Sequence, residues 1–125
     1  LKNFVTTADT VIASGKCGAT LRFGHDTNLA PLAVLMGINN LSASTSDWQK
    51  IADTYRTYKI IPMCGNIQMI LYRNSSNDII AKVLLNEREV EFPIKKFSGP
   101  YYKWEDLKKY WLDKTENIIL PEQQE

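Results

Sequence analysis

Apolar residues recur every three to four positions in three parts of the chain, and this spacing predicts three amphipathic helices. The first lies within residues 1–12 and is followed by Gly15, a common helix stop. The second begins at Leu29 and ends before Gly37. The third lies within 104–111, with acidic residues at its start and lysines towards its end, which suits the helix dipole.

The chain that leads into the second helix has a different pattern. Residues Cys17 to Gly24 form a short, mostly apolar run, which predicts a strand in a buried sheet position. We expect Thr27 or Asn28 to cap the helix that follows, and Pro31 to fall in its first turn, where a missing N–H costs little. The pattern therefore predicts a strand that turns almost directly into a helix.

The middle of the chain predicts a short helix and an antiparallel meander. Ser46 and Gln49 have the spacing of a capping box for the short helix. Three strands are then predicted within 66–73, 79–85 and 90–92, joined by the turn sequences NSSND and NERE. Helices and strands in this order predict an α/β fold.

Composition is that of an ordinary globular domain. The chain has 125 residues, 44% of them apolar, and a formal net charge of +1, so it can build one core and has no overall electrostatic preference for nucleic acid. Its longest near-apolar run, from Leu29 to Ile38, is well short of the ~20 residues that span a bilayer. The chain begins with Leu1 and shows no signal peptide, so we expect that an upstream part has been removed.

The two cysteines, Cys17 and Cys64, do not form a metal motif, and a chain with one histidine has no zinc constellation. Each cysteine lies near the start of a predicted strand. A disulfide between them and two buried free thiols both remain open.

Three other groups of residues receive structural interpretations. Arg22 lies inside the predicted strand, where we expect a structural ion pair. The aromatic residues of 101–111 have helical spacing, which predicts core packing rather than stacking on bases or sugars. Lys95 and Lys96 predict a solvated loop rather than a polyphosphate site.

The only histidine, His25, stands beside Asp26 between the predicted strand and the second helix. In open α/β sheets such junctions lie at the carboxyl edge, where ligands bind, and a helix N-terminus favours an anion such as phosphate. His25 can donate hydrogen bonds to that anion, and Asp26 can carry a proton beside it. The pattern fits an acid/base site that handles an anion. It also fits a helix cap without chemistry, so both interpretations stay open.

The run LRFGHDTNLAPL resembles the C-terminal signature of the histidine acid phosphatases, branch two of the histidine phosphatase superfamily, which includes the phytases. The likeness extends through IIPMCGNIQMILYR, VLLNEREVEFPI and GPYYKWEDLKKYW, and so covers most of the chain. The resemblance implies a partial three-layer, phosphoglycerate-mutase-like α/β domain with a mixed sheet, of which residues 1–120 are the C-terminal portion. Residues 121–125 are expected to be a disordered tail.

The resemblance also implies site residues. Asp26 is the general acid that protonates the leaving alcohol oxygen, and His25 binds the transferred phosphoryl group and stabilises its charge. Thr27 and Asn28 contribute to substrate binding. No metal or cofactor is implied. The aspartate at the donor position disfavours the multiple inositol polyphosphate phosphatases, which have glutamate there, and the family's usual location is periplasmic, surface or secreted.

The chain departs from the family in one respect. The nucleophile of these enzymes is a histidine in an Arg-His-Gly-x-Arg-x-Pro segment, and this chain has neither that segment nor a second histidine. We therefore expect part of a phosphomonoester hydrolase that is inactive alone, and that pairs with the N-terminal part of the same enzyme or forms a homodimer. The substrate class stays open among inositol phosphates, sugar phosphates and general monoesters. The alternative is a noncatalytic phosphate-binding or interaction module.

Overall fold

The computed structural model describes residues 1–117, which form five α-helices, two short 3-10 helices and four strands. In chain order the elements are α1 (Lys2–Ser14), α2 (Asp26–Met36), a 3-10 turn (Ile38–Asn40), a second 3-10 turn (Trp48–Lys50), α3 (Ile51–Thr54), α4 (Thr57–Ile60), β1 (Ile67–Arg73), β2 (Ile79–Leu85), β3 (Arg88–Glu89), β4 (Tyr102–Lys103) and α5 (Trp104–Glu116). The predicted α/β class is confirmed. The expected tail at 121–125 lies outside the described residues.

The strands form one sheet around β2. β1 pairs antiparallel with β2 along its whole length, from Ile67 opposite Leu85 to Arg73 opposite Ile79. β3 and β4 pair with the two ends of the other edge of β2, also antiparallel. The predicted three-stranded meander is confirmed, and every pairing between strands of residues 1–117 is antiparallel.

The third strand begins earlier than its apolar residues predict. Asn86 and Glu87 take positive φ angles of 51° and 65°, as a two-residue hairpin turn requires, so Arg88 already pairs with Leu85. The third strand of the meander therefore lies at Arg88–Glu89 rather than at 90–92, and the N–H of Val90 adds one further bond to the carbonyl of Val83 at 3.2 Å. Val90 and Phe92 are buried core residues.

The short helix after the loop is present, but its cap differs from the prediction. The side chain of Asp47, not that of Ser46, accepts a hydrogen bond from the backbone N–H of Gln49 at 3.1 Å. A carboxylate one residue closer to the helix satisfies that N–H directly, so the predicted capping box with Ser46 does not form.

The core lies between the sheet and the long helices, and aromatic residues dominate it. The indole of Trp111 packs edge-on against Phe92 and Trp104, with ring centroids 5.7 and 6.3 Å apart. Its Nε1 donates a hydrogen bond to the carbonyl of Met36 at 3.1 Å, and the hydroxyl of Tyr102 accepts one from the backbone N–H of Phe92. The predicted core role is confirmed for Tyr102, Trp104 and Trp111, which are fully buried.

Helix α1 is held on α5 by a polar cluster around Asp9. One carboxylate oxygen accepts from the indole N–H of Trp104 at 2.9 Å, and the other lies 2.8 Å from Nζ of Lys108. Burial raises the pKa of Asp9, but the hydrogen bonds from Lys108 and Trp104 outweigh it and leave the pKa below its ordinary value of 3.8. The helix itself ends as predicted at Gly15, whose φ is 65°.

A carboxyl whose pKa is lowered by folding stabilises the protein above its ordinary pKa and loses that contribution as the pH falls through the folded value. We expect Asp9→Asn, which still accepts from Trp104, to lower the free energy of unfolding at pH 7 by up to about 1 kcal/mol, since both partners are partly exposed. The difference from wild type should shrink as the pH falls below 3.8.

Urea unfolding at several pH values measures this difference. Asp113→Asn is the matched control, because Asp113 is an exposed carboxylate on α5 whose side chain has no hydrogen bond in the described part of the chain. A constant difference between Asp9→Asn and wild type from pH 7 to pH 2 would contradict the role given to the Asp9 charge.

Gly37 fixes the end of α2 against α5. Its φ of 74° is left-handed, and a Cβ there would overlap Oη of Tyr110 and lie 2.9 Å from Nζ of Lys114. We expect Gly37→Ala to lower the free energy of unfolding by at least about 1–2 kcal/mol from the backbone alone, measured by urea unfolding.

Gly18→Ala is the control, because its Cβ would meet nothing within 4 Å and its φ is not left-handed. Its effect should stay within about 0.5 kcal/mol, as for surface substitutions in general. Equal effects of the two alanines would show that Gly37 is not a constraint on α2.

Candidate functional site

His25 and Asp26 form the start of helix α2. His25 is the N-cap residue, with extended backbone angles, and its carbonyl accepts from the N–H groups of Asn28 and Leu29 at 3.0 and 3.2 Å. Asp26 is the first helical residue, and its Oδ1 accepts from the N–H of Thr27 at 2.8 Å. The helix thus begins three residues before the predicted Leu29.

This earlier start corrects two predictions about α2. Thr27 and Asn28 are its second and third residues, so neither is the cap. Pro31 is its sixth residue and falls in the second turn rather than the first. Because proline has no N–H, it gives no helical hydrogen bond to the carbonyl of Thr27, four residues earlier.

The four candidate residues are all exposed, and the structure divides them between two surroundings. Asp26 and Thr27 lie at one end of a shallow, mostly apolar hollow along α2. Its further lining residues are Ala30, Pro31, Val34, Leu35, Tyr55 and Ile61. His25 and Asn28 lie outside this lining, and the Asn28 side chain rests against Gly24. Asp26 thus faces a place where the organic part of a ligand can rest, with His25 adjacent to it in the chain.

The far wall of the hollow was not found from the sequence. Tyr55 and Ile61 follow α3 and α4, two single turns whose spacing gives no periodic signal. Asn86 secures this wall: its Nδ2 donates to the carbonyls of Lys59 and Ile60, and its Oδ1 accepts from the N–H of Asn66. The sequence placed Asn86 in the predicted NERE turn, but it gave no sign that the Asn86 side chain bonds to α4.

The segment before His25 is not a strand. Within residues 1–117, Cys17–Gly24 make no backbone hydrogen bond to any other segment. Leu21 and Phe23 are 74% and 94% exposed. A strand requires a neighbour for its N–H and C=O groups, and the described chain places none beside this segment. The predicted buried strand is therefore wrong for this chain.

Arg22 attaches the same segment to α1. Its guanidinium donates to Oδ1 of Asn3 at 2.5 Å and to Oγ1 of Thr7 at 2.9 Å, and it lies 4.3 Å from the centre of the Phe4 ring. The predicted ion pair is wrong, because these partners are all neutral. The structural interpretation holds, since Arg22 points to α1 rather than to the hollow.

The remaining candidates have simple surroundings. Cys17 and Cys64 are free and exposed, so the structure has neither the bridge nor the buried thiols. Lys95 and Lys96 are exposed in a loop as predicted, and Lys96 pairs with Glu91. In the part of the chain described, no three His, Cys, Asp or Glu side chains converge as a metal site requires, and no helix is long and apolar enough to cross a membrane.

Comparison with known proteins gives a family. A search of curated proteins finds no match. The family model of the histidine phosphatase superfamily (branch 2) matches residues 16–86, which is more than half of the chain. The match contains the segment before His25, the motif from His25 to Asn28, the hollow and the β1–β2 hairpin. Members of this superfamily typically hydrolyse phosphomonoesters. The chain belongs to the histidine phosphatase superfamily, branch 2.

Proposed function

We propose that this chain is the C-terminal part of a histidine acid phosphatase, with Asp26 as its general acid and His25 as a ligand of the transferred phosphoryl group. One observation carries the proposal. The His-Asp-Thr-Asn run lies inside the matched family region, and its four exposed residues are the N-cap and the first three residues of helix α2.

The position of Asp26 suits contact with a bound ester. Oδ1 is occupied by the N–H of Thr27, which fixes the carboxyl at the mouth of the hollow. Oδ2 has no hydrogen bond within residues 1–117 and is free to contact a ligand. An alcohol seated in the hollow places its ester oxygen beside this atom, and protonation of that oxygen makes the alcohol a better leaving group.

His25 and the first turn of α2 suit the phosphoryl group. An imidazole N–H can donate to a phosphoryl oxygen, and the positive end of the helix dipole favours the negative charge there. Thr27, and more weakly Asn28, add polar side chains on the same turn. Electrostatic stabilisation of this kind is the main contribution to catalysis of phosphoryl transfer.

The nucleophile has to come from outside this chain. His25 is the only histidine and already has a role, and no Arg-His-Gly segment is present. The partner we propose is the N-terminal part of the same enzyme, and the chain alone is inactive. The exposed Leu21 and Phe23 beside the site support a partner at this surface, or else a homodimer.

Our proposals for the substrate, the cofactor and the cellular location rest on the family rather than on the geometry of this site. We propose a small phosphomonoester as substrate, drawn from inositol phosphates, sugar phosphates or general monoesters. No metal or cofactor takes part. The location proposed is periplasmic, surface or secreted.

A noncatalytic module that binds phosphate or a partner is the second candidate. The single histidine favours it, since a chain without a nucleophile can still hold an anion. An upstream reading frame that encodes Arg-His-Gly supports the enzyme, and one without it supports the module.

The test compares Asp26→Asn with wild type in the polypeptide that includes the upstream part. For phosphate esters of alkyl alcohols we expect phosphate release to fall by about 10²–10⁴-fold, the usual contribution of general acid catalysis. For p-nitrophenyl phosphate the loss should be smaller, because that leaving group needs less protonation. Release of inorganic phosphate is the measurement.

Asp47→Asn is the matched control, since Asp47 is also an aspartate at a helix start, is partly exposed, lies outside the hollow, and asparagine caps as well as aspartate. It should retain full activity. Undiminished hydrolysis of alkyl esters by Asp26→Asn would rule out the donor role. Phosphate release by the chain alone would rule out a nucleophile supplied from elsewhere.

A further inference from the structure

The hollow beside Asp26 extends along one face of α2. Its lining positions on the helix are 26 and 27, 30 and 31, and 34 and 35, so they recur on three successive turns. At the rise of an α-helix, the hollow runs for roughly 13 Å from Asp26 towards the end of α2. Its volume is about 630 Å³, within the usual range of small-molecule sites. The hollow is therefore large enough for the organic part of a substrate.

This lining is apolar beyond its first turn. Only Asp26 and Thr27 are polar on α2, and the far side adds the ring of Tyr55 and the aliphatic Ile61. No lysine, arginine or histidine belongs to the lining within residues 1–117. A phosphate group or a sugar hydroxyl placed against these apolar atoms would lose its water without gaining a hydrogen bond, which costs free energy. An alkyl or aryl group would gain free energy from the same burial.

The arginine next to Tyr55 is directed elsewhere. Nε of Arg56 donates to the carbonyl of Ala52, and its Nη1 donates to Oη of Tyr58 at 3.3 Å. Arg56 and Lys59 line a second hollow, which shares no lining residue with the first. These two cations therefore lie outside the surface that a leaving group beside Asp26 would contact.

We propose that the hollow selects phosphomonoesters whose alcohol is an alkyl or aryl one. The inference rests on the proposed function, because Asp26 at one end of the hollow is there the general acid. In that reaction the bond between phosphorus and the ester oxygen breaks, and the phosphoryl group passes to the nucleophile outside this chain. The ester oxygen takes the proton of Asp26, and the neutral alcohol is released from the hollow. Among inositol phosphates, sugar phosphates and general monoesters, the apolar lining favours the last.

Binding of the alcohol is measurable without catalysis, because the hollow is made only of residues within 26–61. In an NMR titration of this chain, we expect benzyl alcohol to shift the amide signals of 30–35, 55 and 61, and myo-inositol to shift none of them. Tyr55→Ala should weaken the binding of benzyl alcohol by about 2- to 10-fold, the value of an aromatic contact.

Tyr58→Ala is the control for Tyr55→Ala, because Tyr58 is an exposed tyrosine of the same part of the chain and lies outside this lining. It should bind benzyl alcohol as the wild type does. Equal affinities of the two variants, or shifts confined to other surfaces, would overturn the proposal.

The alcohol preference is measured in the polypeptide that includes the upstream part. A buried methylene is worth about fourfold in kcat/KM, and a half-covered one about twofold, so octyl phosphate should exceed ethyl phosphate by roughly 60-fold. Inositol hexakisphosphate and a hexose phosphate should be poorer substrates than octyl phosphate. A preference for either of them would overturn the proposal. Equal kcat/KM along the alkyl series would also overturn it, since the upstream chain would then cover the hollow.

Pro31 allows the polarity of the hollow to be changed without loss of a helical hydrogen bond. It is exposed, lines the hollow one turn beyond Asp26, and has no N–H to lose. Pro31→Asn should reduce the ratio of kcat/KM for octyl over ethyl phosphate by at least about 5-fold, because the alkyl chain would cover an amide. Pro31→Leu, of similar size but apolar, is the matched control and should keep the ratio. Equal ratios in the two variants would contradict the role of the hollow.

The two proposals fail separately. Binding of benzyl alcohol in the hollow without phosphate release from any ester by the longer polypeptide would remove the phosphatase function and leave an apolar ligand site. Phosphate release that does not depend on the alcohol would keep the function and remove the selection by the hollow.

Discussion

The position of α2, and with it the candidate site, depends on the contact between Trp111 and the end of that helix. The indole is fully buried, packs on Phe92 and Trp104, and donates its N–H to the carbonyl of Met36. A helix end buried without such a donor would leave a carbonyl unsatisfied at a cost of about 1–3 kcal/mol. The left-handed Gly37 allows α5 to approach this closely, because no side chain stands between the helix end and Tyr110. The C-terminal helix therefore determines where Asp26 lies, although the two are far apart in the sequence.

The two ends of the site are supported very differently. The far wall of the hollow is held by Asn86 through three hydrogen bonds to α4 and the start of β1. The segment that enters the site from the other side is held by Arg22 alone and lacks a sheet partner within residues 1–117. The motif from His25 to Asn28 lies within the family match, and its four residues are exposed in the described chain.

Sequence reasoning predicted the elements whose signals are local. β2 was placed to the residue and β1 to within one, because branched and apolar residues alternate between two turns, and α5 followed from the spacing of Trp104, Leu107 and Trp111. The motif at His25 was found because it is contiguous. The predictions that were wrong concern residues whose structure depends on partners distant in sequence. Cys17–Gly24 has strand composition but lacks a neighbour, and Arg22 found neutral partners on α1 that no local pattern specifies. The helix was predicted to begin at Leu29, where its apolar spacing starts. The alternative that His25 and Asp26 form a helix cap fits the structure, in which His25 is the N-cap residue.

The hydrogen bond from Trp104 to Asp9 closes a loop of 95 residues, whereas the β1–β2 hairpin closes over a five-residue turn. Long loops cost more chain entropy to close, and contacts distant in sequence form more slowly. Helix α1 is synthesised before α5, which supplies the side chains on which Asp9 docks. Helix α1 is thus made well before it can dock on α5, and until then the side chains of Val5 and Ala8, which are buried in the fold, stay uncovered.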